Sequence, residues 1–153
     1  FLAESHEATA GDKPKPEWKK LGDGAALAIK TNKKVLIDVY TDWCGWCKKM
    51  DADVYTDSSV VKYITEVFVP VKVNAESSNK HEVNGKPITE AEIARAYGVR
   101  GYPTTVFARS NGSMITVLPG YVNSKMFLQV LQYIGGEHYL KMKFDEFVAK
   151  GGK

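Results

Sequence analysis

Val35-Leu36-Ile37-Asp38-Val39-Tyr40-Thr41-Asp42-Trp43-Cys44-Gly45-Trp46-Cys47-Lys48-Lys49 is the stretch whose reading decides this chain. Its first six residues are almost continuously apolar, as in a strand covered on both faces. The strand hands over to a helix expected to start at Cys44. Side chains three apart share one helix face, so the sulfurs of Cys44 and Cys47 can meet. At a helix start, unpaired N–H groups and the macrodipole favour an anion, and Lys48 and Lys49 add positive charge. Each effect favours thiolate over thiol, and the thiolate is the nucleophile. Cys47, one turn deeper, is expected to be the less exposed. Cys44 would then attack and Cys47 would resolve a mixed disulfide.

Working outward from this motif, the 153 residues fit one domain with a core of its own. A net charge of +3 is too small to argue for nucleic acid as a partner. No apolar run reaches the length of a membrane span. The chain holds two cysteines, with two residues between them. A bridge closing so short a loop adds little chain-entropy stabilisation, so chemistry explains the pair better than scaffolding does. The first residues, Phe1-Leu2-Ala3-Glu4-Ser5, fit the end of a processed export signal. An exported, periplasmic protein is expected, with a cytoplasmic one as the alternative.

Residues 1–16 read as a flexible leader and 17–150 as the folded domain. A helix packed by one face is expected over 17–32. Asp57 reads as a helix N-cap, with Val60, Val61 and Ile64 inward. Val67–Val73 reads as a second strand, which Pro70 places near an edge or a bulge. Residues 75–88 read as polar loop. Thr89 and Glu92 form a capping box for a helix ending near Gly98. Ser110-Asn111-Gly112 joins two strands as a hairpin. Ser124 is expected to cap a core helix closed by Gly135-Gly136, and Leu140, Phe144 and Phe147 suggest one more amphipathic helix. The elements amount to one mixed sheet between helix layers.

A Cys-x-x-Cys is also half of a zinc site, but zinc takes four ligands. Only His6, His81 and His138 remain, none in a paired ligand spacing. His81 and His138 read as solvated surface. No metal and no cofactor beyond the cysteine pair is expected.

In this motif and its surroundings the sequence resembles the thioredoxin superfamily over roughly residues 33–135. The likeness rests on Trp43-Cys44-Gly45-Trp46-Cys47-Lys48, on Asp38 six residues before Cys44, and on Lys72 in Val71-Lys72-Val73-Asn74. It extends to Tyr97-Gly98-Val99-Arg100-Gly101-Tyr102-Pro103-Thr104 and to Gly120. Trp46 in place of the family's proline, an insertion near 76–90 and a longer tail resemble the thioredoxin-like thiol–disulfide interchange proteins of bacterial envelopes. The resemblance implies a thioredoxin fold: α/β, a central mixed β-sheet flanked by helices, with that insertion and a C-terminal helical extension. It implies a thiol–disulfide oxidoreductase, with reduction of protein disulfides favoured over isomerisation or oxidation. A binding or chaperone module using the aromatic surface alone is the non-enzymatic alternative.

The resemblance also implies roles. Burying an unpaired carboxylate is expensive, so Asp38 needs a partner or a proton. The family's aspartate suggests a proton acceptor for Cys47, through water. Lys72, by alternation an ordinary strand lysine, would tune that aspartate. A cis Tyr102–Pro103 bond beside the cysteines would expose the Tyr102 backbone to an extended substrate segment, as in strand addition. Trp43 and Trp46 would rim an apolar docking patch, with Gly45, Gly101 and Gly120 beside it; small residues there allow close backbone approach. Tyr40 is expected to pack. Partners would be disulfide-containing or dithiol proteins and an upstream redox protein that recycles the cysteine pair. A monomer is expected.

Overall fold

A computed structural model describes residues 12–152. Of the leader expected over 1–16, residues 1–11 lie outside the described residues, and Pro16 is buried. The helix expected over 17–32 is shorter, α1 at Leu21–Thr31. Before it, Lys19 forms a parallel bridge with Val71, so Trp18 sits in extended chain.

Strand β1 (Lys34–Tyr40) runs parallel to β2 (Phe68–Asn74) and antiparallel to β5 (Thr104–Ala108), which pairs antiparallel with β6 (Met114–Pro119). The order β2-β1-β5-β6 makes β1 and β5 the central strands. Both are buried along nearly their whole length, because helices cover both faces. Pro70 causes no bulge: β1 and β2 keep one register throughout. Its carbonyl accepts from Lys19 N–H, so its missing N–H faces away from β1 and costs no bond in that ladder.

Helices α2 (Gly45–Asp53), α3 (Ser58–Val67) and α5 (Ser124–Gly135) bury their apolar stripes on one core. Leu36, Met50, Ile64, Phe68, Phe107 and Phe127 are its centre. Helices α1 and α4 (Glu90–Ala96) belong to a second core, with Ile37, Val39, Val71 and Val106. Asp57 caps α3, accepting from Ser59 N and Val60 N. Thr89 caps α4 through Glu92 N. The cap of α5 is Asn123, which accepts from Met126 N; Ser124 is the first helical residue. Either side chain could cap, and chain entry selects the earlier one.

The insertion is not the loop expected over 75–88. It forms a hairpin, β3 (Lys80–Val83) and β4 (Lys86–Thr89), turning at Asn84-Gly85. Both turn residues have positive φ, as a tight hairpin turn requires. Polar residues hid the strands, since only one face packs, against α1. His81 is not solvated surface: half-buried, it accepts from Gly22 N–H through Nδ1 and meets Glu90 Oε2 through Nε2 at 3.3 Å. The tail continues as a 3₁₀ turn at His138–Leu140 and α6 at Phe144–Ala149. Phe147 is buried, with the His138 ring 4.6 Å away, whereas Leu140 is exposed.

Candidate active site

Strand β1 ends at Tyr40, and Thr41–Trp43 turn the chain into α2. Cys44 occupies the N-cap with extended backbone, and its Sγ accepts the N–H of Cys47 at 3.1 Å. One donor of the helix start thus points at the sulfur that would carry negative charge. Cys44 and Cys47 are joined as a disulfide, with Cα atoms 5.3 Å apart. In this oxidised state their burial is nearly equal, 5% and 4% exposed, so the expected difference in depth is absent. Of the two lysines beside them, Lys49 is paired with Asp53 at 3.0 Å, while Lys48 lines a cleft behind α2.

Behind the disulfide lies a buried charge pair. The register of β1 and β2 sets Asp38 beside Lys72. Lys72 Nζ donates to Asp38 Oδ2 at 2.5 Å and to Asp51 Oδ1 at 2.7 Å. The ammonium also faces the rings of Trp18 and Tyr40, with centroids 4.7 and 5.0 Å away. Such cation–π contacts strengthen as water is excluded. Burial pushes the Asp38 carboxyl above its ordinary range, Lys72 opposes this, and Asp51 adds to the rise. Burial disfavours the Lys72 charge too, but Asp38 and Asp51 outweigh it and hold the ammonium above the ordinary lysine range. Tyr40, expected to pack, is thus also one wall around Lys72.

The outer face is aromatic. Trp43 is 67% exposed and Trp46 59%. Trp43 Nε1–H donates to Glu76 Oε1 at 2.7 Å, and its ring stands edge-on to Tyr102. Trp46 leans on Tyr121, centroid 5.4 Å away. The Tyr102–Pro103 peptide is cis, and Gly120 N–H donates to the Pro103 carbonyl at 2.8 Å. Gly120 needs its glycine for a φ of +85°. A Cβ on Gly45 or Gly101 would meet nothing within 4 Å among the described residues, which leaves their outer sides open to an approaching backbone. Asp38 and Lys72 thus meet in the charge pair, Cys44 and Cys47 in the disulfide, and Trp43 meets Tyr102 on the outer face.

Asp51, Trp18 and Glu76 were not singled out. Asp51 follows Cys47 by four residues, a helical spacing that could have pointed to it. Glu76 and Trp18 meet the site only through tertiary pairing. Among the described residues no group of three or more His, Cys, Asp and Glu is placed to hold a metal, and no helix is long and apolar enough to cross a membrane.

Residues 21–135 match the thioredoxin-like domain family. The chain is 31% identical over 111 residues to the thiol:disulfide interchange protein DsbD of Yersinia enterocolitica, covering 71% of this chain and 18% of that one. It thus spans less than a fifth of that curated relative's length. A thioredoxin-fold protein from Helicobacter pylori superposes with a TM-score of 0.67 at 32% identity, covering 80% of this chain and 81% of the other. The oxidised C-terminal domain of Neisseria meningitidis DsbD superposes with a TM-score of 0.54 at 25% identity, covering 71% and 86%. Motif, topology and these likenesses agree, and the chain belongs to the thioredoxin-like domain family.

Proposed function

We propose that the chain reduces disulfides of other proteins in a bacterial envelope. In the reduced protein, the Cys44 thiolate attacks one sulfur of a substrate disulfide. That bond breaks, a mixed disulfide forms, and the first substrate thiolate leaves. Cys47 gives its proton to Asp38 and attacks Cys44 Sγ. The mixed disulfide breaks, the second substrate thiolate leaves, and the substrate has gained two electrons. A dithiol donor protein then returns two electrons to the Cys44–Cys47 disulfide.

Lys72 tunes Asp38 in this reading. Trp43, Trp46, Gly45, Gly101, Tyr102, Pro103 and Gly120 form the surface on which an extended substrate segment lies. The observation that carries the reading is the Cys44 sulfur at the N-cap of α2, bonded to Cys47 and flanked in the chain by the exposed rings of Trp43 and Trp46. The envelope location rests on likeness to DsbD proteins.

Direction is a potential difference, in which about 30 mV shifts the equilibrium by about 1.4 kcal/mol. Equilibration in dithiothreitol buffers measures the midpoint. A value near −270 mV, about that of thioredoxin, supports a reductase; one near −120 mV, about that of the strong oxidants, reverses the direction and makes oxidation the role. Turnover of insulin disulfides, lost in Cys44→Ser, tests the chemistry. A Cys44→Ser chain with full biological activity would establish the binding-module alternative instead.

A further inference from the structure

Asp38 has neighbours that the exchange steps leave unused. Its Oδ2 is taken by Lys72, but Oδ1 is buried with no hydrogen-bond partner among the described residues. The hydroxyls of Tyr55 and Thr105 lie near each other and are likewise buried without a well-formed hydrogen bond among the described residues. The β1–β5 register sets Thr105 directly opposite Asp38. Partners in an antiparallel pair project to one face, with Cβ atoms about 4.5–5.5 Å apart. Tyr55, just beyond α2, is 2% exposed, its ring edge-on to Trp18 at 4.8 Å and to Phe127 at 5.5 Å. The Lys72 ammonium that bonds Asp38 stands 5.7 Å from the Tyr55 ring centroid. Two hydroxyls and one carboxylate oxygen thus share a small buried volume behind the disulfide.

A buried polar atom without a partner costs about 1–3 kcal/mol, and native interiors hold few. Phenylalanine and valine would fill the same space without that cost. Two hydroxyls kept beside a buried acid therefore call for a role. We propose that Tyr55 and Thr105 are positioning residues for proton transfer at Asp38, their hydroxyls held beside Oδ1 so that small side-chain shifts let them donate to the carboxylate and accept from the acid.

A hydroxyl can do both, because it carries one donor and two lone pairs. Bonds to the ionised form are roughly twice as strong as neutral ones, so the pair favours the carboxylate on balance. The other groups facing Asp38 divide. Lys72 from β2 favours the charge; burial and Asp51 from α2 oppose it. Tyr40 lies on the same strand, and the Cys44–Cys47 disulfide is uncharged. Burial first, and then the Asp38 charge, holds the Tyr55 phenol well above its ordinary range, so it keeps its proton for donation. The arrangement suits an acid that must take a proton from Cys47 in one direction and return it in the other.

This inference rests on Asp38 being the proton acceptor, and the two can fail separately. Titration of the Asp38 carboxyl carbon by NMR in the oxidised chain needs no turnover. Tyr55→Phe and Thr105→Val are each expected to raise the Asp38 midpoint by about half a unit or more, since each removes a donor to the charged form. Thr105→Ser, which keeps the hydroxyl, is expected to titrate as the wild type. A midpoint unmoved or lowered in Tyr55→Phe or Thr105→Val overturns the assignment, as does Thr105→Ser behaving like Thr105→Val. If Thr105→Val does not fold, Tyr55→Phe decides, because its ring is retained. Asp38→Asn with an unchanged pH–rate profile for the resolving step would remove Asp38 from the chemistry while leaving the titration result standing.

Discussion

Replacing Lys72 with methionine keeps an unbranched apolar stem against Trp18 and Tyr40 and removes only the charge. Two carboxylates lose a partner. Asp51 is half exposed, its side chain at 47%, and water takes over there at a cost within about 1 kcal/mol. Asp38 is different, with its side chain 3% exposed. Left charged and unpaired, it would cost about 3–5 kcal/mol. Protonation offers an escape, and at pH 7 protonating a carboxyl of ordinary pKa costs about 4 kcal/mol. That sets the ceiling, and a lost charge-assisted hydrogen bond of about 1.5 kcal/mol sets the floor.

The pH dependence follows from sign. Asp38 already has its folded-state pKa above the unfolded value. Its contribution to stability is therefore fully present below the unfolded pKa and is lost as pH rises through the folded one. Without Lys72 the folded pKa climbs further, so the loss continues to higher pH, at about 1.4 kcal/mol per unit. Lys72 itself is held above the ordinary lysine range, and its own contribution is lost only in alkali, outside this window. Urea denaturation of oxidised wild type and Lys72→Met at pH 5 and pH 8 measures the difference. The destabilisation is expected to be larger at pH 8. A penalty equal at both pH values, or larger at pH 5, would refute the view that Lys72 offsets the burial of Asp38.

Three further outcomes are expected. Phe107→Ala empties the centre of the core, where Phe107 is fully buried with the Phe68 ring 5.9 Å away, and should cost about 3–5 kcal/mol in urea denaturation. Asp57→Ala removes the acceptor for two N–H groups at the start of α3 and should cost about 1 kcal/mol by the same measurement, while Asp57→Asn should cost much less. Trp43→Ala should raise KM for a protein disulfide several-fold while leaving the midpoint potential unchanged, because Trp43 lies on the outer surface and not against Asp38; a shifted potential would place it in the redox chemistry instead.

Local chemistry made much of this protein legible from residues alone. The cap at Asp57, the turn at Ser110-Asn111-Gly112 and the spacing of Cys44 and Cys47 rest on interactions within a few residues, the run Val35–Val39 carries its burial in its own composition, and all stand in the structure. The hairpin at 80–89 was hidden because its strands are mostly polar, although Asn84-Gly85 marked its turn. Trp18 was misplaced because an amphipathic pattern cannot tell a helix from a short extended segment that borrows its hydrogen bonds from β2.

Only tertiary structure decided what surrounds the charge pair. Lys72 looked like a strand lysine, and the β1–β2 register turns it toward Asp38. The helical path of α2 brings Asp51 to it, and residues from three separate segments supply the rings of Trp18, Tyr40 and Tyr55. Register and packing join residues far apart in the chain, and no local pattern encodes which of them meet. The sequence by itself determined that two sulfurs could bond at the start of a helix; which acid, cation and hydroxyls stand behind them was settled by how the sheet and helices close.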